Sequence, residues 1–359
     1  MSGRQTRRGL VAVLAIIGVA FVTAANAEDV VFDARGFQQN RPYFSQLPYE
    51  HIDPLTGNLV LTFTDLVLPG NANFDLKIQR AYNSKIYGDP VTHALAEDSW
   101  AGVGWTLHMG RVIDPYSAHP IIEMPDGSRH PLYRRLEQTN AFRTREHWSY
   151  DPRFEELILP NGVYIKFRFA GAPTLPGGQP VLYATSINDL HGNEIAISYK
   201  TGAGIPRGAI DTIVQTVGNG QEKRTVKFEV DTVSGALTTM TLQDPGSQSG
   251  RTWTYTQVGT GQIKYNLLTQ VTPPVGTPWR YSYETSSFPK FELIGINTPS
   301  GGEIAFSYQD QRFQLGTTHE VDSRVVARRE TRGRDITQGL WEYQYAYGLA
   351  KNQTVITGC

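Results

Sequence analysis

The sequence predicts an all-β fold: repeated antiparallel β-hairpins joined into a twisted, curved ribbon or partial shell. Three observations predict it: a recurring thirteen-residue frame, alternation with the strand period, and a composition rich in turn formers and aromatics. The frame is clearest from Ile187 through Gly192 to Tyr199 and from Ile296 through Gly301 to Tyr308. Two further copies keep the register, Val271–Gly276–Tyr283 and Leu157–Gly162–Phe169. In each, glycine stands five residues after the first apolar residue, and apolar or aromatic residues follow at offsets of 8, 10 and 12. A period of two is the strand period, because successive side chains point to opposite faces. Each unit therefore reads as strand, glycine turn, strand. A hairpin that cannot bury its apolar face alone must stack on its neighbours.

The 359 residues are 40% hydrophobic and 19% charged, with a net charge of −1. This is globular composition, and the neutral balance gives no electrostatic reason to expect nucleic acid as a partner. The 35 glycines, 21 prolines, 18 tyrosines and 15 phenylalanines suit many turns between aromatic-rich strands. The lone cysteine, Cys359, excludes an intrachain disulfide, so stability must come from a large core.

Residues 1–27 read as a secretory signal peptide. Arg4, Arg7 and Arg8 precede the apolar run Leu10 to Val22, and Ala25-Asn26-Ala27 is a small-x-small cleavage site. The expectation is an exported product, on the cell surface, secreted or periplasmic, with no stable membrane span after signal removal. Residues 28–50 read as an extended lead-in. Residues 51–133 form an opening β region, and 134–359 a hairpin-repeat region continuous with it. Within the opening region, Asp53 to Asn58 and Pro69-Gly70-Asn71 carry turn chemistry around the alternating run Leu59, Leu61, Phe63. Phe74, Leu76 and Ile78 mark a second strand. Ile122 to Gly127 starts a degenerate copy of the frame. Residues 134–150 are charged and read as including a short helix. A repeat region that stops without a distinct cap reads as the N-terminal piece of a longer protein.

The opening region resembles that of RHS/YD-repeat proteins. Its residues are Asp53, Pro54, Gly57, Asn58, Asp65, Pro69 and Gly70, then Arg80, Tyr82 and Asn83, then Gly104 and Trp105. The resemblance covers most of 51–133, and the hairpin frame extends it to about residue 308. It implies a β-ribbon wound into a shell that encloses a C-terminal effector, often a toxin. The partners it implies are that effector or further RHS repeats, in cis or in trans. The Tyr-Asp-x-x-Gly-Arg signature of the family is nearly absent, and Tyr199, Tyr283 and Tyr308 are followed by Lys200, Glu284 and Gln309.

No catalytic residue is expected, no cofactor and no metal site. Asp189 and His191 sit in a repeat turn, where the second copy has Thr298 and Ser300, so the position asks only for small polar residues. Glu155 and Glu156 are adjacent and face opposite ways in a strand. The eight histidines lack metal-ligand spacing. The leading expectation is therefore a non-enzymatic, exported wall. One alternative is a surface module that binds glycan or peptide through exposed aromatics such as Trp279 and Trp341. The other is a secreted hydrolase without a recognisable motif.

Overall fold

A computed structural model describes residues 36, 42–89, 94–95, 99–134, 141–170, 180–217, 222–243, 250–259, 266–286, 291–315, 319–333, 336–345 and 354–358. The signal-peptide segment, Cys359 and most of the lead-in lie outside the described residues. The described residues are strands and turns, with one three-residue 3-10 turn at Asn71–Asn73. The short helix expected in 134–150 is absent from the described residues there. They form the strands Phe142–Arg143 and Ser149–Asp151, joined by a tight turn in which His147 takes φ +66°.

Two sheets carry the architecture. A four-stranded inner sheet holds Glu50–Ile52, Leu59–Leu68, Leu76–Asn83 and Trp105–Thr106, all antiparallel. A 21-stranded sheet forms the ribbon. Eighteen of its strands follow chain order from Tyr133–Arg134 to Thr354–Gly358, each pairing antiparallel with the next. The other three, Arg111–Ile113, Ile121–Glu123 and Arg129–Pro131, form a side arm joined to the strand Val181–Asn188. The later part of the opening region thus belongs to the ribbon and not to the inner sheet.

Alternation decides which face of each strand is buried. In the inner sheet Leu59, Leu61 and Phe63 point one way, with Arg80 and Tyr82 beside them from the neighbouring strand, towards the ribbon. Val60, Thr62 and Ala81 point the other way, towards the arm. There Thr62 Oγ1 donates to the carbonyl of Asp126 at 2.5 Å. A Cβ at Gly127 would meet that of Ala81 at 2.8 Å, so the arm's turn lies directly on the sheet. The ribbon turns one stripe inward, including Ile197, Phe228, Met240, Tyr255, Tyr281, Ile296 and Phe306. These join Leu61, Tyr82 and Trp105 of the inner sheet in one hydrophobic core. The inner sheet is buried between arm and ribbon, as hydrophobic stripes on separate layers require.

The repeat frame is built the same way each time. Leu157, Val271 and Ile296 are buried, and Ile187 packs on the core at its edge. Gly162, Gly192, Gly276 and Gly301 take φ between +79° and +101°, the left-handed region where a Cβ is strained. Just before Ile187, Val271 and Ile296, but not before Leu157, the strand skips one residue against its neighbour. The skipped residues are Thr185, Thr269 and Ile294, with Ala327 in a fourth hairpin. Such a bulge interrupts the ladder locally. A tyrosine hydroxyl from the following strand donates to the carbonyl just before the skipped residue. The pairs are Tyr199 to Ala184 at 2.5 Å, Tyr283 to Leu268 at 2.7 Å, Tyr308 to Leu293 at 2.9 Å, and Tyr345 to Val326 at 2.8 Å. The last aromatic of the frame is thus a pin for the bulge. The copy that ends in Phe169 has no hydroxyl. Its strand stops at Arg168, and Phe169 is 40% exposed with its ring against Tyr116.

Candidate functional site: the seam between inner sheet and ribbon

The polar residues of the opening motif gather where the inner sheet meets the ribbon. Some of them build turns. Asp53 accepts from the Leu55 N–H at 2.8 Å and from the Thr56 hydroxyl at 2.9 Å, fixing the loop over Pro54. Gly57 takes φ +64°, and a Cβ there would lie 2.3 Å from that of Val325. Its carbonyl accepts from the Val326 N–H at 3.0 Å, a backbone bond between loop and ribbon. Asn58 accepts from the Ser84 hydroxyl, which in turn accepts from the Leu59 N–H. Asn83 caps the next turn by accepting from the Lys85 N–H. Gly70 donates to Asp75, and the Pro69 carbonyl accepts from Arg224 of the ribbon at 2.6 Å.

Two buried charge clusters tie the inner sheet to the ribbon, and a third ties the strands of the arm. At the first, Arg80 donates Nε to Asp65 Oδ2 at 2.6 Å and Nη2 to Oδ1 at 3.0 Å. Tyr255 of the ribbon donates to the same carboxylate at 2.8 Å, and Arg80 Nη1 reaches the Tyr281 hydroxyl at 3.3 Å. The guanidinium lies over the rings of Phe63, Trp105, Tyr255 and Tyr281 at 5.1–5.9 Å. Burial opposes the Arg80 charge, and the Asp65 carboxylate outweighs it, so the pKa is raised. At the second, Arg329 grips Glu50 with Nε at 2.5 Å and Nη2 at 2.8 Å, under the ring of Trp341. Burial raises the Glu50 pKa above the ordinary carboxylate value, against the pull of Arg329. At the third, within the arm, Glu123 accepts from Arg111 at 2.8 Å and Arg129 at 2.6 Å, with His108 Nε2 at 3.0 Å. Burial would raise the Glu123 pKa, but the two guanidiniums hold it well below the usual carboxylate range. The Gly110 N–H donates to His108 Nδ1, which leaves Nε2 to carry the proton towards Glu123.

Further bonds extend the seam along the ribbon. Gln215 reaches the Phe74 carbonyl at 3.2 Å, Leu237 N–H that of Trp100 at 2.8 Å, and Val103 N–H that of Asn266 at 2.9 Å. Trp105 Nε1 donates to the Tyr283 hydroxyl at 2.7 Å, and Leu293 N–H to the Tyr82 hydroxyl at 2.9 Å. Gly104 leaves room for Tyr82, whose ring a Cβ would meet at 2.6 Å. Taken in chain order, these contacts run from residue 215 to residue 329, so the ribbon follows the inner sheet along its whole length.

The motif residues Asp65, Arg80, Tyr82 and Trp105 thus meet the repeat tyrosine Tyr283 in one seam. Gly162, Gly192, Gly276 and Gly301 stay at separate hairpin turns. Asp189 accepts from the N–H groups of His191 and Asn193 and from the Asn193 side chain, which closes its turn. Trp279 packs edge-on to Tyr49 and Phe63, and Trp341 lies over Arg329. Sequence reasoning missed Glu50, Glu123, Tyr255 and Arg329. The available signal was an arginine in apolar phase, as Arg80 stands in register with Leu76, Ile78 and Tyr82. Among the described residues, no group of three or more His, Cys, Asp or Glu could hold a metal ion. The charged groups of the seam bind one another.

Residues 49–132 match a family known as a domain of unknown function, DUF6531. No curated protein matches. Among solved structures, the chain is similar to TcdB2-TccC3-Cdc42 at 12% identity and a TM-score of 0.34, covering 81% of this chain and 16% of that one. It is similar to the N-terminal domain of effector protein SpvB from Salmonella typhimurium strain LT2 at 11% identity and a TM-score of 0.27, covering 76% and 99%. A third is a Tc holotoxin pore of Photorhabdus luminescens, at 11% and 0.32, covering 86% and 16%. The chain therefore spans only a small part of the TcdB2-TccC3 and Tc holotoxin chains.

Proposed function

We propose that this chain is a non-catalytic wall segment of an exported, RHS-type β-repeat protein that encloses or presents a C-terminal effector. The observation that carries the reading is the seam. A long meander of hairpins is held in a curve by an inner sheet through buried ion pairs, and a curved wall needs such a former. The bulges pinned by Tyr199, Tyr283, Tyr308 and Tyr345 support it, because repeated bulges bend a sheet in a regular way. The resemblance of the opening motif to RHS proteins points the same way. The packing of Trp279 and Trp341 does not favour the glycan- or peptide-binding alternative. The test is the native product from its source cells, recovered with an antibody to residues 49–132 and subjected to limited proteolysis. The expected result is a longer polypeptide whose segment after the ribbon resists cleavage until the wall unfolds. A native product that ends with the ribbon, or a following segment cut as fast as an unfolded chain, overturns the proposal.

A further inference from the structure

One cluster at the seam stands apart from the ion-paired ones because, among the described residues, its central cation donates to a hydroxyl and a carbonyl and not to a carboxylate. Lys85 follows the inner-sheet strand Leu76–Asn83 and reaches across to the ribbon strand His319–Gly333. Its Nζ donates to Ser323 Oγ at 2.7 Å and to the backbone carbonyl of Arg324. The residue is half-buried overall, and the amine is its enclosed end. Arg324 Nε donates to Glu292 Oε1 at 2.9 Å and its Nη1 to Asp310 at 3.1 Å. Glu292 is 1% exposed, and its Oε2 has no hydrogen-bond partner among the described residues. The charged groups that act on the amine are Asp53 from the Asp53–Asn58 loop and Arg324 and Glu292 from the ribbon. Glu123 and Arg129 of the arm share with Lys85 the lining of a cavity of about 30 Å³, room for a single water. Tyr308, which is influenced by Glu292 and Arg324, is pushed up by burial well above its ordinary pKa.

We propose that the Lys85–Ser323–Arg324–Glu292 cluster is a pH-sensitive latch that closes the ribbon onto the inner sheet and loosens as an alkaline medium becomes neutral. The geometry supplies both parts of a latch. The amine bridges two layers far apart in sequence, and the site around it offers hydroxyl and carbonyl acceptors that a neutral amine satisfies as well as an ammonium. Burial opposes the charged form, Asp53 favours it and Arg324 opposes it, with the net result that the Lys85 pKa falls to about 7. The sign follows from linkage. An opened seam returns Lys85 to water, where it binds a proton below about 10.4. Between the two values the open form holds more protons than the closed form, so falling pH favours opening. Below about 7 both forms are protonated, and this dependence ends. The inference concerns the seam alone and stands whether or not an effector follows the wall.

The test is amide hydrogen exchange of the strand His319–Gly333 in the intact chain, corrected for intrinsic exchange rates, from pH 6 to pH 9.5. The expected result is an opening constant that rises about tenfold per unit of pH lost between roughly 9.5 and 7.5, then levels off. Lys85→Met keeps the length of the stem and removes the titration, so its opening constant should not change with pH. Ser323→Ala keeps the lysine, so it should open more at every pH while keeping the slope. This second variant decides the matter if Lys85→Met fails to fold. A flat profile in the unsubstituted chain, a slope retained in Lys85→Met, or a slope lost in Ser323→Ala overturns the proposal.

Discussion

Replacing Tyr283 by phenylalanine should destabilise this protein far more than the same change at Tyr199, although both residues hold the same place in the repeat. The Tyr283 hydroxyl donates to the Leu268 carbonyl beside the bulge and accepts from the Trp105 indole N–H, each at 2.7 Å. Trp105 has no exposed surface and Tyr283 is 9% exposed, so water cannot replace the lost oxygen without repacking. Tyr283→Phe removes two hydrogen bonds and leaves a buried donor and acceptor unpaired. Net bonds of about 1 kcal/mol each, with an added penalty for orphaned buried groups, give roughly 2–4 kcal/mol. Tyr199 makes the carbonyl bond to Ala184, lies nearer the surface and should cost about 1 kcal/mol as phenylalanine. Equilibrium urea unfolding, followed by tryptophan fluorescence, measures both. A Trp105→Phe, Tyr283→Phe cycle should give a coupling of at least about 0.5 kcal/mol, since the residues are in contact. The reasoning is refuted if Tyr283→Phe unfolds within about 0.5 kcal/mol of the unsubstituted chain, the range of an ordinary surface change. It is equally refuted if Tyr199→Phe costs as much.

Other changes follow from the same seam. Asp65→Ala strands the Arg80 guanidinium in its aromatic cage and should cost about 3–5 kcal/mol in urea unfolding, while Asp65→Leu with Arg80→Met should recover much of it. Gly57→Ala meets both a left-handed φ and Val325, whereas Gly301→Ala meets a left-handed φ with open space around it. Gly301→Ala should therefore cost about 1 kcal/mol and Gly57→Ala clearly more, read as a difference in melting temperature. Glu123 has a depressed pKa, so its contribution is present above the ordinary carboxylate pKa and is lost as pH falls towards the folded value. Glu123→Gln should lower stability at pH 7 and flatten the acid limb of the stability profile, as measured by calorimetry between pH 7 and pH 3.

The strand pattern was legible because alternation and the glycine turn are local. Leu157, Val271 and Ile296 are buried at the places their phase gives them, and the turn glycines have the φ that their spacing asks for. The bulges were not legible. Thr185, Thr269 and Ile294 look like ordinary strand residues, and only the pairing register reveals that each is skipped. For the same reason Tyr199 and Tyr308 read as core aromatics, when their hydroxyls have specific work. The pairing of Asp65 with Tyr255, or of Glu50 with Arg329, joins residues 190 and 279 positions apart and leaves no local trace. Arg80 alone carries a local trace that the sequence reading did not use, since a charge in apolar phase announces a buried partner. In 134–150, the described residues form strands and a tight turn, so their charge density does not mark a helical surface. His130 stacks on Trp148 and meets Glu146 at 3.2 Å, so part of that charge serves a compact turn.

The central claim is that inner sheet and ribbon share one core and open together. Native-state hydrogen exchange under mild urea tests it directly, by following Leu59–Leu68 of the inner sheet and Trp279–Tyr283 of the ribbon in the same sample. The account predicts that the slowest amides of both strands exchange with one opening free energy and one urea dependence, and that Gly57→Ala lowers both. An inner sheet that exchanges separately from the ribbon, with its own urea dependence, would contradict it.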